Sequence, residues 1–265
     1  MKIIGEKING TRNQVRQAIA ARDLVFIQQL AQRQAQADAS WLDVNAGTAP
    51  AQEPDDLVWL VQTVQAVVDT PLCLDSANPA ALRAALAQVR HPPMINSISG
   101  EPARLNDILP LVQESGCAVI ALAMDERGIP NDTPGRLAVI RKMIDATRRA
   151  NIADERLYVD PLAMALSAQT DSAQVALATI RAVRAEFPVV HLSAGLSNIS
   201  FGLPARTLIN QAFLTLALDA GLDTAILDPL DHDLKRMLLA AQVVLGQDRY
   251  CRNYTRAYRA GLLER

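Results

Sequence analysis

The chain has 265 residues, 50% of them hydrophobic and 20% charged. That is enough apolar content for a sizeable core and enough length for one large domain or two small ones. Its 26 basic and 28 acidic residues leave a net charge of −2, which gives no basic field for nucleic acid or an acidic membrane surface.

Strand and helix signals alternate along the chain. The first apolar run covers 2–8, and its early charges, Lys2, Glu6 and Lys7, do not suit a signal peptide. No apolar run approaches the length of a membrane span, so the expected location is cytoplasmic. Residues 12–37 place Val15, Ile19, Phe26, Ile27 and Leu30 among Gln, Arg and Ala, the spacing of a one-faced helix. A second strand is expected at 41–46, a helix at 54–68 with Leu57, Leu60, Val61, Val64 and Val68 inward, and strands at 71–76, 94–99, 118–124, 157–163 and 189–196. A helix over 206–220, with Leu208, Phe213, Leu214 and Leu218 on one face, precedes a last strand at 224–229. The basic tail 249–265 spaces Tyr250, Tyr254 and Tyr258 by four, which suggests an extra helix docked on the body.

Eight strands alternating with helices predict an α/β protein, a closed (β/α)8 TIM barrel, and roughly 250 residues is the usual length of that fold. A doubly wound open sheet would carry a Gly-rich turn after its first strand, but Glu6-Lys7-Ile8-Asn9-Gly10 does not fit G-x-G-x-x-G. The expected organisation is one domain over 1–265, with a short helical extension at about 247–265.

Four apolar runs end in a carboxylate or carboxamide: Leu72 to Ser76 around Asp75, Met94 to Ser97 around Asn96, Tyr158 to Pro161 around Asp160, and Gly195 to Ser200 around Asn198. In a barrel these groups end strands three, four, six and seven, on the face where active sites of this fold lie. Asp43 and Asn45 end strand two, and Glu6 with Asn9 ends strand one, although Asp43 or Glu6 could instead hold the first loop. No comparable polarity is expected at the opposite ends. Singly, each group is equally well a turn former or helix cap; Asn78, before Pro79, is a better cap than Asp75. Together, acceptors and donor-acceptors at one mouth suit a flat polar heterocycle better than a metal or a phosphate. Three scattered cysteines, Cys73, Cys117 and Cys251, form no disulfide or zinc pattern, and Cys73 reads as a small core hydrophobe. His91, His191 and His232 form no ligand pair, so no metal site is expected.

With these phrases placed, the chain resembles the methyltetrahydrofolate:corrinoid (iron–sulfur) protein methyltransferases. Their pterin-binding barrel, shared with dihydropteroate synthase, also forms the folate domain of cobalamin-dependent methionine synthase. The resemblance runs from Ile4–Gly10 through Leu42–Gly47, Leu72–Ser76, Met94–Ser97, Gly128-Ile129-Pro130 and Val159–Pro161 to Gly195–Ser200, Arg206 and Leu208–Asn210.

It implies a cytoplasmic methyltransferase that moves a methyl group between N5 of tetrahydrofolate and the cobalt of a corrinoid (cobalamin). Tetrahydrofolate or 5-methyltetrahydrofolate is then the small-molecule substrate. The chain has no Asp-x-His-x-x-Gly corrinoid-binding segment, so the corrinoid would arrive on a separate corrinoid protein. Asp75, Asn96 and Asp160 would bind the pyrimidine edge, Asn198 would approach N5 as the catalytic amide, and Arg206 would be a basic residue at the folate site. Glu6, Asp43, Asn45, Ser197 and Phe201 are further candidates. Phe201 replaces the glutamine of the iron–sulfur type and looks like the methionine-synthase loop, which bears on the corrinoid partner and not on the pterin site. A homodimer is expected from the family. Asp75 and Asp160 are the candidate general acids, read first as ionised acceptors. The direction of transfer is open.

Two alternatives stand beside this reading. One is a folate-binding barrel without turnover. The other is dihydropteroate synthase, but Ser197-Asn198-Ile199 and Leu227-Asp228-Pro229 stand where that family has basic motifs.

Overall fold

The computed structural model describes residues 1–264. Eight parallel strands form one sheet: β1 (Lys2–Asn9), β2 (Trp41–Asn45), β3 (Leu72–Asp75), β4 (Met94–Ser99), β5 (Ala118–Leu122), β6 (Leu157–Asp160), β7 (His191–Leu192) and β8 (Thr224–Leu227). Each pairs with its neighbour in sequence from β1 to β7, and β8 pairs back onto β1. The ring closes without a full ladder between β7 and β8. An isolated parallel bridge joins Gly195 to Ile226, and the Ile226 N–H donates to Ala194 O at 2.9 Å.

Among the described residues, ten α-helices surround the strands: α1 (Asn13–Ala21), α2 (Leu24–Gln36), α3 (Glu53–Gln65), α4 (Pro79–Leu86), α5 (Pro102–Ser115), α6 (Thr133–Arg149), α7 (Ser172–Glu186), α8 (Arg206–Ala220), α9 (His232–Val244) and α10 (Arg252–Arg259). This is the expected barrel. The inner layer of Ile4, Cys73, Met94, Ile120 and Tyr158 fills the ring, and a larger apolar shell lies between strands and helices. That division is the reason the strands read as unbroken apolar runs: both faces are covered.

Several local expectations are corrected. The helix read over 12–37 is two helices, because Arg22 turns left-handed at φ 53°. Asp23 then accepts the Phe26 N–H at 3.1 Å and caps α2. The strand read to residue 163 stops at Asp160, where Pro161 has no N–H to give. The strand read over 189–196 keeps only two residues, since the chain bends at Gly195 into a 3₁₀ turn over Leu196–Ser200. On α8, Leu208 is exposed although Phe213, Leu214 and Leu218 are buried. In the tail, Tyr250, Tyr254 and Tyr258 are all exposed; only Ala257 of α10 is buried.

The opposite mouth is also more polar than expected. Lys2 Nζ donates to the Tyr158 hydroxyl at 2.9 Å and sits 5.3 Å from the centre of the Trp41 ring. Tyr158 stacks on His191 at 4.5 Å, and Asp223 Oδ2 bonds His191 Nδ1 at 3.1 Å and Arg184 Nη2 at 2.8 Å. Long side chains plug the wide bottom of the ring here, and their contributors are too far apart in sequence to be read as a group.

At the upper mouth one glycine contact sets the loop geometry. A Cβ on Gly10 would lie 1.9 Å from Ala46 O, so only glycine lets the loop after β1 rest on the end of β2.

Candidate active site at the barrel mouth

The parallel register puts the polar strand ends side by side. Asp75 is the register partner of Asn96, and Asp43 that of Cys73. Asn45 Nδ2 donates to Asp75 Oδ2 at 3.0 Å and to Asp75 O at 3.2 Å. Asn96 Nδ2 donates to Asp43 Oδ1 at 3.3 Å. Asp43, Asn45, Asp75 and Asn96 therefore form two hydrogen-bonded pairs, Asn45 with Asp75 and Asn96 with Asp43, over three adjacent strands. The Asn45 carbonyl Oδ1 is buried without a donor among the described residues. A buried acceptor of that kind is costly unless something supplies an N–H.

Asp160 ends β6 across the mouth. Its Oδ1 accepts the Leu162 N–H at 2.7 Å and its Oδ2 accepts the Gly195 N–H at 3.3 Å. The second bond ties Asp160 to the turn that carries Asn198. A Cβ on Gly195 would lie 2.9 Å from Asn198 Nδ2, so the amide folds back over a residue that has no side chain. Asn198 itself is exposed, and its side chain makes no hydrogen bond to the described residues.

Arg206 braces that turn. Its Nη2 donates to Ser197 O at 2.7 Å and its Nε to Ser200 Oγ at 3.0 Å. Phe201 is 67% exposed and lies 5.9 Å from the Arg206 guanidinium. Glu6 accepts from Arg12 at 2.9 Å and borders a 280 Å³ cavity with Ser197, Arg206 and Asp228. Asn9 Oδ1 accepts from the Thr11 N–H at 3.0 Å, the plain turn-former role. Asn78 accepts from the Ala80 N–H at 3.0 Å, as expected of a cap.

Burial shapes the electrostatics. It pushes the Asp75 carboxyl up to about 6, against the bond from Asn45. It pushes Asp160 up to about 6 as well, against the bonds from Leu162 and Gly195 and the nearby Arg136 cation. Asp43 is raised well above the usual carboxylate range, first by burial and then by the Asp75 charge. Glu6 is raised by burial, which outweighs Arg12. Sequence reading offered Asp75 and Asp160 as the candidate acids; Asp43 and Glu6 join them. The Cys73 thiol lies against Asp43 and is pushed up by burial, so it stays a core thiol.

Three arginines that sequence reading passed over support the mouth. Arg104, on α5, donates to Ser97 O at 3.0 Å, to Ser76 O at 2.8 Å and to Ala77 O, joining the loops after β3 and β4. Arg136, on α6, is fully buried and bonds backbone carbonyls beside Asp160. Arg12 holds Glu6. An arginine on a flanking helix carries no sequence signal of what it reaches.

The description "Pterin binding enzyme" fits a family model over residues 5–228. A "Methylcorrinoid:tetrahydrofolate methyltransferase" from Eubacterium limosum is 40% identical over 98% of this chain and 97% of its own. The chain belongs to that family of pterin binding enzymes. A methionine synthase from Mycobacterium leprae is 31% identical over 84% of this chain, which spans only 20% of that larger protein. Among solved structures, "Yersinia pestis DHPS with pterine-sulfa conjugate Compound 16" aligns with TM-score 0.71 at 18% identity, over 92% of this chain and 93% of that one. Dihydropteroate synthase from Xanthomonas albilineans, in complex with 7,8-dihydropteroate, aligns with TM-score 0.69 at 21% identity, over 92% of each chain. At those identities the likeness speaks to the fold shared across the pterin binding enzymes.

Proposed function

We propose that this enzyme moves a methyl group between a methylated corrinoid, carried by a separate protein, and N5 of tetrahydrofolate. The observation that supports it most is the pairing of a fixed polar cluster with a free amide. Asp75 and Asn96 are held by their neighbours at 3.0 and 3.3 Å, and the Asn198 side chain stands exposed on the facing turn.

In this reading Asp75, Asn96 and Asp160 receive the pyrimidine edge of the pterin. Its ring N–H and amino group would donate to the two carboxylates, and such charge-assisted bonds are strong. Asn45 Oδ1 would gain the donor it lacks. The cobalt supplies the methyl group and takes back the bonding electron pair. N5 attacks that carbon with its lone pair and loses its proton afterwards. Asn198 contacts N5 as its charge changes, a contact that strengthens toward the transition state and lowers the barrier more than it tightens binding. A carboxylate near 6, as at Asp160, is ionised at neutral pH and suited to accept the proton, directly or through water. The same groups run the step in reverse. The name of the 40% identical relative favours tetrahydrofolate as acceptor.

The C-terminal helical extension belongs with the barrel as one unit in this reading. A homodimer is supported by Leu216 and Val244, exposed at 50% and 84% on α8 and α9. A cytoplasmic location is supported by three cysteines that are all free, and no helix among the described residues is long and apolar enough to cross a membrane. The dihydropteroate synthase alternative fits less well, since Asn198, Ile199, Leu227 and Pro229 occupy its basic positions.

The test mixes enzyme, tetrahydrofolate and methylcobalamin or a methylated corrinoid protein, and follows cobalt(I) absorbance. Enzyme-dependent appearance of cobalt(I), with 5-methyltetrahydrofolate formed in equal amount, supports the proposal. Tight folate binding without transfer would make the chain a binding barrel.

A further inference from the structure

Arg136 is the largest fully buried side chain among the described residues. Its guanidinium does not pair with a carboxylate. Nε donates to Pro130 O at 3.0 Å, and Nη1 donates to both Pro161 O and Leu162 O at 2.8 Å. Nη2 has no partner among the described residues. Burying a cation this way is expensive, and a core position would be better served by an apolar residue if packing were the only demand.

The carbonyls it holds are those that follow Asp160. Leu162 lies left-handed at φ 62°, a conformation that costs a non-glycine residue roughly 1 kcal/mol. That twist turns the Leu162 N–H back onto Asp160 Oδ1 at 2.7 Å. Arg136 grips the carbonyls of the two successive peptides that flank the Leu162 Cα. Removing the grip would let Leu162 relax and take its N–H from Asp160.

We propose that Arg136 is a positioning residue for Asp160: its guanidinium locks the Pro161–Leu162 backbone, so that the Leu162 N–H stays on the carboxylate and aims it. This rests on the assignment of Asp160 to the pterin edge. The Arg136 charge also opposes the burial of Asp160, after the bonds from Leu162 and Gly195. Asp132, the cap of α6, and Asp171, before α7, also act on Arg136, but they do not bear on Asp160 directly.

The test uses the whole enzyme with Arg136→Met, Arg136→Lys and Arg136→Lys/Leu162→Gly. The Asp160 carboxyl is titrated by carbon-13 NMR in the free protein, its signal assigned by its loss in Asp160→Asn. Arg136→Met should raise the Asp160 midpoint by about half a unit or more. Arg136→Lys keeps the charge but not the fork, so it should raise the midpoint less than Arg136→Met does and slow single-turnover transfer about tenfold. Adding Leu162→Gly should recover much of that loss, since glycine takes the left-handed angle without strain. A folded Arg136→Met with an unmoved midpoint overturns the proposal. If Arg136→Met does not fold, the lysine pair decides, and no recovery by Leu162→Gly overturns it. A moved midpoint, together with an Asp160→Asn variant that binds folate normally, would keep the Arg136–Asp160 link and remove Asp160 from the folate site.

Discussion

Asn96 donates its amide to Asp43 Oδ1 at 3.3 Å, so a carboxyl group that is only 3% exposed decides which way this carboxamide of β4 points. With Nδ2 engaged by Asp43, Asn96 has its carbonyl oxygen left to accept from a ligand N–H. Asp43→Ala should strand that amide and weaken tetrahydrofolate binding about tenfold, roughly the worth of one lost hydrogen bond. Titration calorimetry checks this; unchanged affinity would make Asp43 a structural acid alone.

Asn198 is exposed and its side chain is unbonded, so its removal should not disturb folding. Asn198→Ala should leave the melting temperature and folate affinity nearly unchanged. Single-turnover transfer should slow on the order of a hundredfold, as about 3 kcal/mol of transition-state stabilisation implies. Rapid-mixing spectroscopy at the cobalt(I) band measures it.

The buried carboxylates give stability a definite pH dependence. Asp75 and Asp160 titrate near 3.8 when unfolded and near 6 when folded. A raised folded value means the contribution is complete below 3.8 and is lost as pH rises through about 6. The free enzyme should therefore unfold more readily at pH 7.5 than at pH 5 as far as these groups decide, by about 1.4 kcal/mol for each. Urea melts across that window check the direction, and Asp160→Asn should flatten the slope.

Folate binding should show the opposite trend. The pterin donors need ionised acceptors, so affinity should fall as pH drops below about 6. Calorimetry in buffers of different ionisation heat should find protons released on binding at pH 5.5. Affinity that is flat from pH 5 to 8 would contradict a carboxylate-bound pterin.

The two mouths should separate in mutagenesis. Asp223 bonds Arg184 at 2.8 Å and His191 at 3.1 Å at the lower mouth, and its carboxyl is held below the usual range by the bonds it accepts. Asp223→Ala should cost about 1 to 3 kcal/mol of stability in urea melts. The folate affinity of the folded fraction should not change.

Much of the upper mouth was legible because its groups end apolar runs. Asp75 and Asp160 each stop a strand at the residue where the hydrophobic pattern stops; Asn96 lies inside β4, level with Asp75, so the parallel register brings it to the same face. The link from Asn45 to Asp75 and the grip of Arg136 were not legible, because each depends on a register or a helix orientation that no local spacing records. The lower mouth was misread for the same reason: Lys2, Tyr158, His191 and Asp223 are 156 residues apart in one pair and meet only when the ring closes. The break at Arg22 left a trace in Asp23, a helix cap inside a continuous periodic stretch.

A crystal structure of the enzyme with bound 5-methyltetrahydrofolate tests the central claim most directly. The account predicts the pterin's amino and ring N–H groups within hydrogen-bond reach of Asp75 and Asp160, Asn96 beside them, and N5 facing the Asn198 amide. A pterin bound outside the barrel mouth, or one turned so that N5 faces away from Asn198, would contradict it.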